Sequence, residues 1–302
     1  MESVICDLCG DNHTKKLWTT SDRWTKTGQR FDIVRCLECG LVFVNPRPDK
    51  NEIERFYPEE YSPYHRSKKI RWFLKKNFQL AREVNILRKF LPEKAKILEI
   101  GAGGGEDLAF LRDRGKWLTE GTDLSPYAKE TAQKEFRLNL TLGQLEEISF
   151  PNESFDLVRN KYVLEHVHSP KSMIGETYRI LKPGGRLILW VPNFDSLSRM
   201  IFKSYWEGGE APRHLYSFSK KTISEYLKYK NFSIEKIEQS VIPNTFIHSF
   251  RRILEDANMP DFILNFFRIE NPLALILFFP LSILAALARK SDRLLVIARK
   301  PL

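Results

Sequence analysis

The stretch that most constrains the fold is "KILEIGAGGGEDLAFLRDRG", residues 96–115. An apolar run of strand length leads directly into the glycine-rich loop 101–105 and then into a helical pattern. Glycine lets the backbone approach a ligand because it has no Cβ. A helix that starts there points its first N–H groups into the same space. The stretch therefore predicts a buried strand, a nucleotide-holding loop and a helix.

From residue 95 onward, strand and helix patterns alternate, which is typical of an α/β fold whose mostly parallel sheet is covered on both faces. Strands are predicted near 96–100, 118–123, 138–142, 155–160, 186–191, 232–240 and 293–299. Helices are predicted near 105–114, 125–136, 170–181 and 219–229. We therefore expect a Rossmann-like sheet of seven strands.

Three features near the loop discriminate between nucleotides. The dinucleotide fingerprint G-x-G-x-x-G, counted from Gly101, requires a glycine where this chain has Glu106. Glu99, just before the loop, suits a cationic ligand, and S-adenosylmethionine (SAM) carries an ammonium and a sulfonium. Asp123 ends the next strand and can hold ribose hydroxyls, in a SAM site as in an NAD site. The first two features favour SAM over NAD or FAD.

Four segments follow one another in a recognisable order: "ILEIGAGGGEDLAFL", "GTDLSPYA", "LGQLEEISFPNESFDLVRNKYVLEHVHSP" and "LKPGGRLILWVPN". Their order and spacing resemble the class I SAM-dependent methyltransferases over roughly residues 85–240. The N-terminal "CDLCG", "CLECGLVFVNPRP" and "FYPEEY" resemble the zinc-ribbon version of these enzymes, which is associated with bacterial surface-polysaccharide and natural-product pathways. The resemblance implies methyl transfer from SAM.

The resemblance also implies roles for individual residues of the cofactor site. Gly101 and Gly103 would line the methionine part of SAM, and Asn160, at the tip of the fourth strand, would border the methionine and the acceptor. Asp123 would bind the ribose, and Leu124 would pack on the adenine.

At the adenine amino group, many family members carry an acidic residue in a "GD" pair. Here the pair is Gly143-Gln144, and Gln144 can still accept a hydrogen bond through its side-chain oxygen.

Methyl transfer to a hydroxyl requires an aligned nucleophile and a base. His166, directly beyond the fourth strand in "YVLEHVHSP", is the first candidate, and His214 in "APRHLYSFS" is the second. Each could instead serve only to hydrogen-bond a loop. Some ubiquinone O-methyltransferases resemble the "LEH" segment but carry a further glutamate for a divalent ion. Tyr162 stands at that position, so we do not expect a catalytic Mg²⁺.

All four cysteines fall in two C-x-x-C-G knuckles within the first 39 residues: Cys6, Cys9, Cys36 and Cys39. A two-residue gap lets both thiolates of a knuckle face one ion. The pattern predicts a zinc ribbon over residues 1–45 with a structural Zn²⁺, a strand at "FDIVRC", another at "LVFVN" and a hairpin with a long tip between the knuckles. A redox pair or free thiols are the alternatives.

The remaining domain boundaries follow from composition. Residues 46–90 are expected to form a linker and an amphipathic helix, the latter over 67–90, and residues 91–302 the methyltransferase domain. Residues 241–290 are expected to be an apolar helical insertion before the last strand. Its 16-residue uncharged run, 273–288, could be a buried helical hairpin, an interfacial membrane anchor or a membrane span.

The chain has a net charge of +10, which favours anionic partners. The leading hypothesis is a small-molecule methyltransferase that acts on a sugar or lipid-linked saccharide, in the cytoplasm or peripherally at the inner face of a membrane. "FKSYWEGGEAPRHLYSFS" supplies aromatic residues and Arg213, which suit a sugar or simply pack a lid. An RNA methyltransferase that uses the ribbon and a non-catalytic SAM-binding protein are the alternatives, although nucleic acid is the weaker expectation. The oligomeric state is left open.

Overall fold

A computed structural model describes residues 1–25, 28–57 and 79–302. The chain builds two sheets. Numbered in chain order, the strands are β1 Thr14–Ser21, β2 Arg30–Cys36, β3 Val42–Val44, β4 Lys96–Ile100, β5 Leu118–Asp123, β6 Leu140–Leu142, β7 Phe155–Lys161, β8 Leu181–Pro192, β9 Tyr216–Ser217, β10 Ser233–Gln239 and β11 Arg293–Arg299.

The larger sheet has seven strands in the order β10-β11-β8-β7-β4-β5-β6. The pairs from β8 to β6 are parallel, whereas β11 pairs antiparallel with both of its neighbours. The predicted mixed, mostly parallel sheet is thus confirmed. The strand order reverses between β4 and β7, and such a switch point places a crevice at the carboxyl ends of these strands.

The helices outside this sheet are α1 Ala81–Leu87, α2 Glu106–Gly115, α3 Pro126–Phe136, α4 Pro170–Ile180, α5 Leu197–Phe202, α6 Lys220–Tyr229, α7 Asn244–Asp256, α8 Asp261–Phe266 and α9 Pro272–Leu287. Local sequence explains several starts. Ser125 and Ser169 each cap a helix whose first residue is proline, and each hydroxyl accepts a backbone N–H from the first turn. Most of the expected amphipathic helix, up to residue 78, lies outside the described residues.

The smaller sheet is antiparallel, with the order β1-β2-β3-β9. Strands β1 and β2 form a hairpin between the two cysteine knuckles. Strand β9 comes from much later in the chain and pairs through Tyr216 with Phe43 of β3. The N-terminal region is therefore hydrogen-bonded into the segment that follows β8.

The apolar run forms one continuous helix, α9, and not a hairpin. Pro280 lies inside this helix without ending it. Ala274, Phe278 and Ala285 are buried, together with Phe246 and Ile247 of α7. No helix of the described ranges has both the length and the hydropathy needed to cross a bilayer.

Candidate active site

The glycine loop and the tip of β5 are joined by hydrogen bonds at the switch point. The backbone N–H of Gly103 donates to Asp123 Oδ2 at 2.8 Å, and that of Ser125 donates to Oδ1 at 2.9 Å. Burial raises the pKa of Asp123, and the N–H donors of Ser125 and Gly103 oppose that rise. The loop and the predicted ribose-binding carboxylate therefore lie side by side, as a nucleotide site requires.

Gly101 occupies a position that no other residue fits. Its φ is +66°, in the left-handed region, and a Cβ at this position would lie 2.3 Å from Val163 Cγ2. Val163 follows β7, so the glycine lets the loop after β4 approach the loop after β7 closely. This approach defines the inner end of the crevice.

The adenine side combines an exposed apolar side chain with a capped turn. Leu124 is 66% exposed although it is flanked by half-buried residues, which suits a side chain that packs on a bound base. Gln144 is half-buried and begins the short 3-10 helix Leu145–Glu147, where its backbone N–H donates to Glu147. The two residues predicted to contact adenine thus follow β5 and β6, which are neighbours in the sheet.

Glu99 belongs to a buried charge cluster beneath the loop. The guanidinium of Arg159, fully buried on β7, pairs with Glu99 and also with Glu83 of α1 at 2.7 Å. Asp107 of α2 accepts from Lys161 at 3.0 Å and extends the cluster. Burial raises the pKa of Glu99 to about 7, against the attraction of Arg159. Oxygen Oε2 of Glu99 has no hydrogen-bond partner in the described part of the chain.

Sequence reasoning did not identify Arg159. The available signal was an arginine inside the apolar strand pattern "FDLVRNKYV", because a buried strand tolerates a cation only where carboxylates surround it.

Asn160 supplies a second unsatisfied acceptor, on the strand that neighbours Glu99 in the sheet. It is buried at the end of β7, its Nδ2 contacts Met173 Sδ at 3.6 Å, and its Oδ1 has no partner among the described residues. Buried polar atoms are normally hydrogen-bonded. Two orphaned acceptors, Asn160 Oδ1 and Glu99 Oε2, fit a ligand that donates hydrogen bonds and carries positive charge. The methionine end of SAM is such a ligand, so these residues fit the cofactor.

The two candidate base histidines lie against each other. The rings of His166 and His214 are T-shaped, with centroids 4.6 Å apart. His166 Nδ1 is 2.9 Å from the Tyr57 hydroxyl. His214 Nδ1 lies 2.8 Å from the Gly208 carbonyl, and since a carbonyl only accepts, Nδ1 carries the proton and Nε2 keeps its lone pair.

Burial also sets the protonation of both rings. It lowers the pKa of His166 well below the ordinary value, with further lowering by His214 and Arg213. It lowers the pKa of His214 as well, and Glu210 opposes that change. Both imidazoles are therefore neutral at neutral pH and can accept a proton.

Glu165 is a third ionisable residue beside the two histidines, and it is fully buried. It is 1% exposed, and both carboxylate oxygens lack a partner within the described ranges. Burial raises the pKa of Glu165 to about 8. One ligand atom each from Glu165, His166 and His214 lies within 4.8 Å of the others, so these three residues have the composition and spacing to hold a metal ion. The position that resembles the ubiquinone enzymes' further glutamate remains Tyr162.

Sequence analysis missed a wider ring of ionisable groups around this pair. The ring consists of half-buried residues: Glu207 and Glu210 follow β8, His248 lies in α7, and Arg293 begins β11. Burial acts to raise the pKa of Glu207, but the nearby His248, Arg293, Arg252 and His214 together outweigh burial, and the pKa lies below its ordinary value. No linear motif links these residues, because they come from segments that only the fold brings together.

Sequence analysis left two roles open for the segment that contains Arg213, sugar binding and packing of a lid, and the structure favours packing. Arg213 is fully buried and bonds Asp22 at 2.8 Å and the Phe56 carbonyl at 2.9 Å. Trp206 and Tyr216 are each 2% exposed. These residues pack the segment after β8 against the N-terminal region, and they do not present a sugar-binding face.

The cysteine cluster is compact and closed. The Sγ atoms of Cys6 and Cys39 are 3.5 Å apart, as are those of Cys9 and Cys36, and all four lie within 4.8 Å of one another. Sulfurs around a tetrahedral ion with metal–sulfur bonds of ~2.3 Å are separated by about 3.8 Å. The four thiols are therefore arranged to hold one metal ion.

Asp7, inside the first knuckle, ties this cluster to the acceptor side. Its carboxylate accepts from the Ser169 hydroxyl at 2.8 Å, from the Lys171 N–H at 2.9 Å and from the Tyr226 hydroxyl at 2.9 Å. Ser169 and Lys171 begin α4, immediately after the loop that contains His166. The first cysteine knuckle thus holds the end of that loop in place.

Comparisons with known proteins agree with this geometry. A family model described as "Methyltransferase domain" matches residues 73–237, more than half of the chain. A protein of Methanocaldococcus jannaschii of uncharacterized function is 28% identical over 61% of this chain and 83% of its own length. The mitochondrial ubiquinone biosynthesis O-methyltransferase of Schizosaccharomyces pombe is 33% identical over 47% of this chain, which spans 56% of that enzyme.

Among solved structures, the 1,6-didemethyltoxoflavin-N1-methyltransferase of Burkholderia thailandensis aligns with a TM-score of 0.50 and 17% identity, over 89% of this chain and 99% of that one. At this identity the likeness concerns the fold alone. With the family match, the glycine loop and the orphaned acceptors considered together, the chain belongs to the methyltransferase domain family and is a SAM-dependent methyltransferase.

Proposed function

We propose that the protein transfers the SAM methyl group to a hydroxyl of a hydrophilic small molecule, with a saccharide or lipid-linked saccharide as the acceptor class. The observation that carries this proposal is the ring of ionisable side chains around His166 and His214. An apolar acceptor would leave both carboxylate oxygens of Glu165 desolvated and without a partner, whereas a polyhydroxylated acceptor can bond to them. Such an acceptor suits a surface-polysaccharide or natural-product pathway.

SAM, when bound, supplies an electrophilic methyl group, and the chain's own residues do the rest. We assign Gly101 and Gly103 to the methionine end, together with Asn160 and Glu99 as hydrogen-bond acceptors. Asp123 holds the ribose hydroxyls, while Leu124 packs on the adenine and Gln144 accepts from its amino group.

His166 is the proposed group that takes the acceptor's proton, because burial and His214 keep its ring neutral. His214, whose Nδ1–H is held by Gly208, is the second candidate. Proton removal is required only as the oxygen attacks, so the base needs to lie within hydrogen-bond reach of the acceptor hydroxyl.

The four-cysteine cluster is proposed to hold a structural Zn²⁺. Four thiolates leave no open position for a catalytic water, and the surrounding contacts connect the knuckle to α4 and not to a crevice. We further place the protein in the cytoplasm, at the inner face of a membrane, through residues 273–288.

Calorimetric titration of SAM tests the cofactor assignment. Asp123→Ala is expected to weaken binding at least tenfold, because it removes the ribose partner. Asp113→Ala, on the exposed face of α2, is the matched control and is expected to bind as the wild type does. Equal affinities of both variants would refute the assignment.

Methyl transfer to the acceptor class is tested with radiolabelled SAM and a panel of saccharides and lipid-linked saccharides. His166→Gln is expected to lose activity while it keeps its SAM affinity. Transfer to RNA and to none of the saccharides would refute the acceptor class.

A further inference from the structure

Helix α9 presents its apolar side to the outside. Its large exposed side chains are Leu273, Ile276, Leu277, Phe279, Ile283, Leu284 and Leu287. The one polar side chain of the helix, Ser282, is buried and faces inward, with its hydroxyl near the Phe278 carbonyl. A surface helix of a soluble domain normally has the opposite arrangement, with polar residues outside.

The preceding helix extends this surface. Phe262 of α8 is 74% exposed, and Phe266, one turn later, is also exposed. Phe267 stacks edge-on against Phe266 and against Phe278 of α9, so the two helices are adjacent. We call the seven α9 side chains together with Phe262 and Phe266 the apolar face. A contiguous exposed surface of this kind marks an interaction site.

Cations stand at the ends of the apolar face. Arg268 precedes α9, and Arg289 and Lys290 follow it. None of the three forms an ion pair with the described residues. The exposed Glu270 lies close to Arg268 in sequence, whereas residues 271–291 contain no acidic residue, so the excess positive charge is at Arg289 and Lys290. Lys290 lies against Met200 of α5, at 3.4 Å from its sulfur. A second copy of this chain, which carries +10, would bring like charges together at these ends, whereas an anionic lipid surface would be attracted.

We propose that the apolar face docks on an anionic membrane surface, with α9 lying in the plane of the interface. Apolar side chains would enter the boundary between headgroups and acyl chains, and Arg268, Arg289 and Lys290 would contact lipid phosphates. The occupant is a lipid surface, because the apolar face is continued by the unpaired cations Arg289 and Lys290, and an anionic bilayer boundary accepts both features.

The apolar face also lies close to the acceptor side of the active site. The buried face of α9 packs against α7, in the same cluster as Phe246. From α7, Arg252 bonds Glu210 at 3.0 Å, and Ser249 Oγ accepts the N–H of Glu207 at 3.0 Å. One helix layer therefore separates the lipid surface from the ionisable ring. This last step rests on the proposed function: a lipid-linked acceptor could keep its tail in the bilayer while its headgroup reaches His166.

Vesicle flotation with the full-length chain tests the docking. The probes are vesicles of phosphatidylcholine alone and vesicles of phosphatidylcholine with phosphatidylglycerol. The wild type is expected to bind the anionic vesicles at least tenfold more tightly at low salt, and added salt is expected to weaken this binding. Ile276→Gln combined with Leu284→Gln is expected to reduce binding at least tenfold. Leu118→Gln, an exposed apolar residue at the start of β5, is the matched control.

Two further readouts keep the outcome clear. The double variant is expected to keep the wild-type melting temperature and SAM affinity, because both side chains are exposed and distant from the loop 101–105. Absence of binding to anionic vesicles would overturn the proposal. A wild-type dimer that the double variant converts to monomer would also overturn it, in favour of a second copy. Failure of SAM binding in the wild type would instead count against the proposed function.

Discussion

Replacement of Glu165 by glutamine tests the electrostatics of the acceptor site through protein stability. Glu165 is buried, both of its oxygens lack partners in the described part of the chain, and its pKa is raised to about 8 from an ordinary 4.5. Between these two values the folded chain holds a proton that the unfolded chain releases. The unfolded state therefore binds fewer protons, and the free energy of unfolding falls as the pH rises through this window.

The size of this effect follows from the two pKa values. Each pH unit between them corresponds to ~1.4 kcal/mol, so the full difference is about 4 to 5 kcal/mol. Glu165→Gln keeps the shape and removes the titration. At pH 5 we expect the free energy of unfolding of the variant to match that of the wild type, apart from a constant offset due to its amide. By pH 8.5 we expect the variant to be more stable than the wild type by about 3 to 4 kcal/mol beyond that offset.

Urea unfolding followed by circular dichroism at pH 5 to 9 measures this difference, in a buffer without added divalent ions and without a chelator, which would remove the proposed structural zinc. Contributions from all other groups cancel between the two proteins. Glu120→Gln, at an exposed position of β5, is the control and should give a flat, near-zero difference. A difference for Glu165→Gln that is independent of pH, or that favours the wild type in alkali, would refute the reasoning.

Three more perturbations follow from the geometry. Asp7→Ala removes three hydrogen bonds at the start of α4, so urea unfolding should show a loss of about 2 to 4 kcal/mol, and an unchanged midpoint would contradict this. Gly101→Ala should weaken calorimetric SAM binding at least tenfold because its Cβ meets Val163, and the additional change Val163→Ala should restore part of the affinity. Cys9→Ser should lower the metal content of the purified protein, measured by mass spectrometry, from one zinc per chain to a small fraction of that; full retention would argue against a four-thiolate site.

The sheet could be predicted closely because its signals are local. Strand β4, Lys96–Ile100, is a largely apolar run that leads into the glycine loop, and β5, Leu118–Asp123, ends just before the Ser125 helix cap. The two-residue strand β9 could not be predicted, because its pairing with β3 joins residues far apart in sequence and carries no period of its own. The exposure of α9 could not be predicted from the sequence either, since an apolar run has the same composition whether protein or lipid covers it.

The residues of the candidate site also differ in whether a local sequence signal marks them. The loop 101–105 and Asp123 were accessible from sequence because a βα unit places them within one short segment. Glu207 and Arg293 were not, because each acquires its role only from charges that other strands and helices contribute. Arg159 had one local signal, a cation inside an apolar strand, but the carboxylates that pair with it come from other elements. The choice between the two roles left open for Arg213 also needed the fold, because its partners, Asp22 and Phe56, lie in the N-terminal region.

The strand that β9 adds to the N-terminal sheet has a practical consequence for protein engineering. A chimera made by joining the first 45 residues to another catalytic core would lack the β9 edge and the Asp7 contact with α4. Conversely, a core expressed without those residues would expose an unpaired strand edge beside His214 and invite aggregation. The cysteine-containing N-terminal segment and the segment that follows β8 therefore form one structural unit. Exchange of acceptor preference between homologues is expected to succeed only when both segments are transferred together.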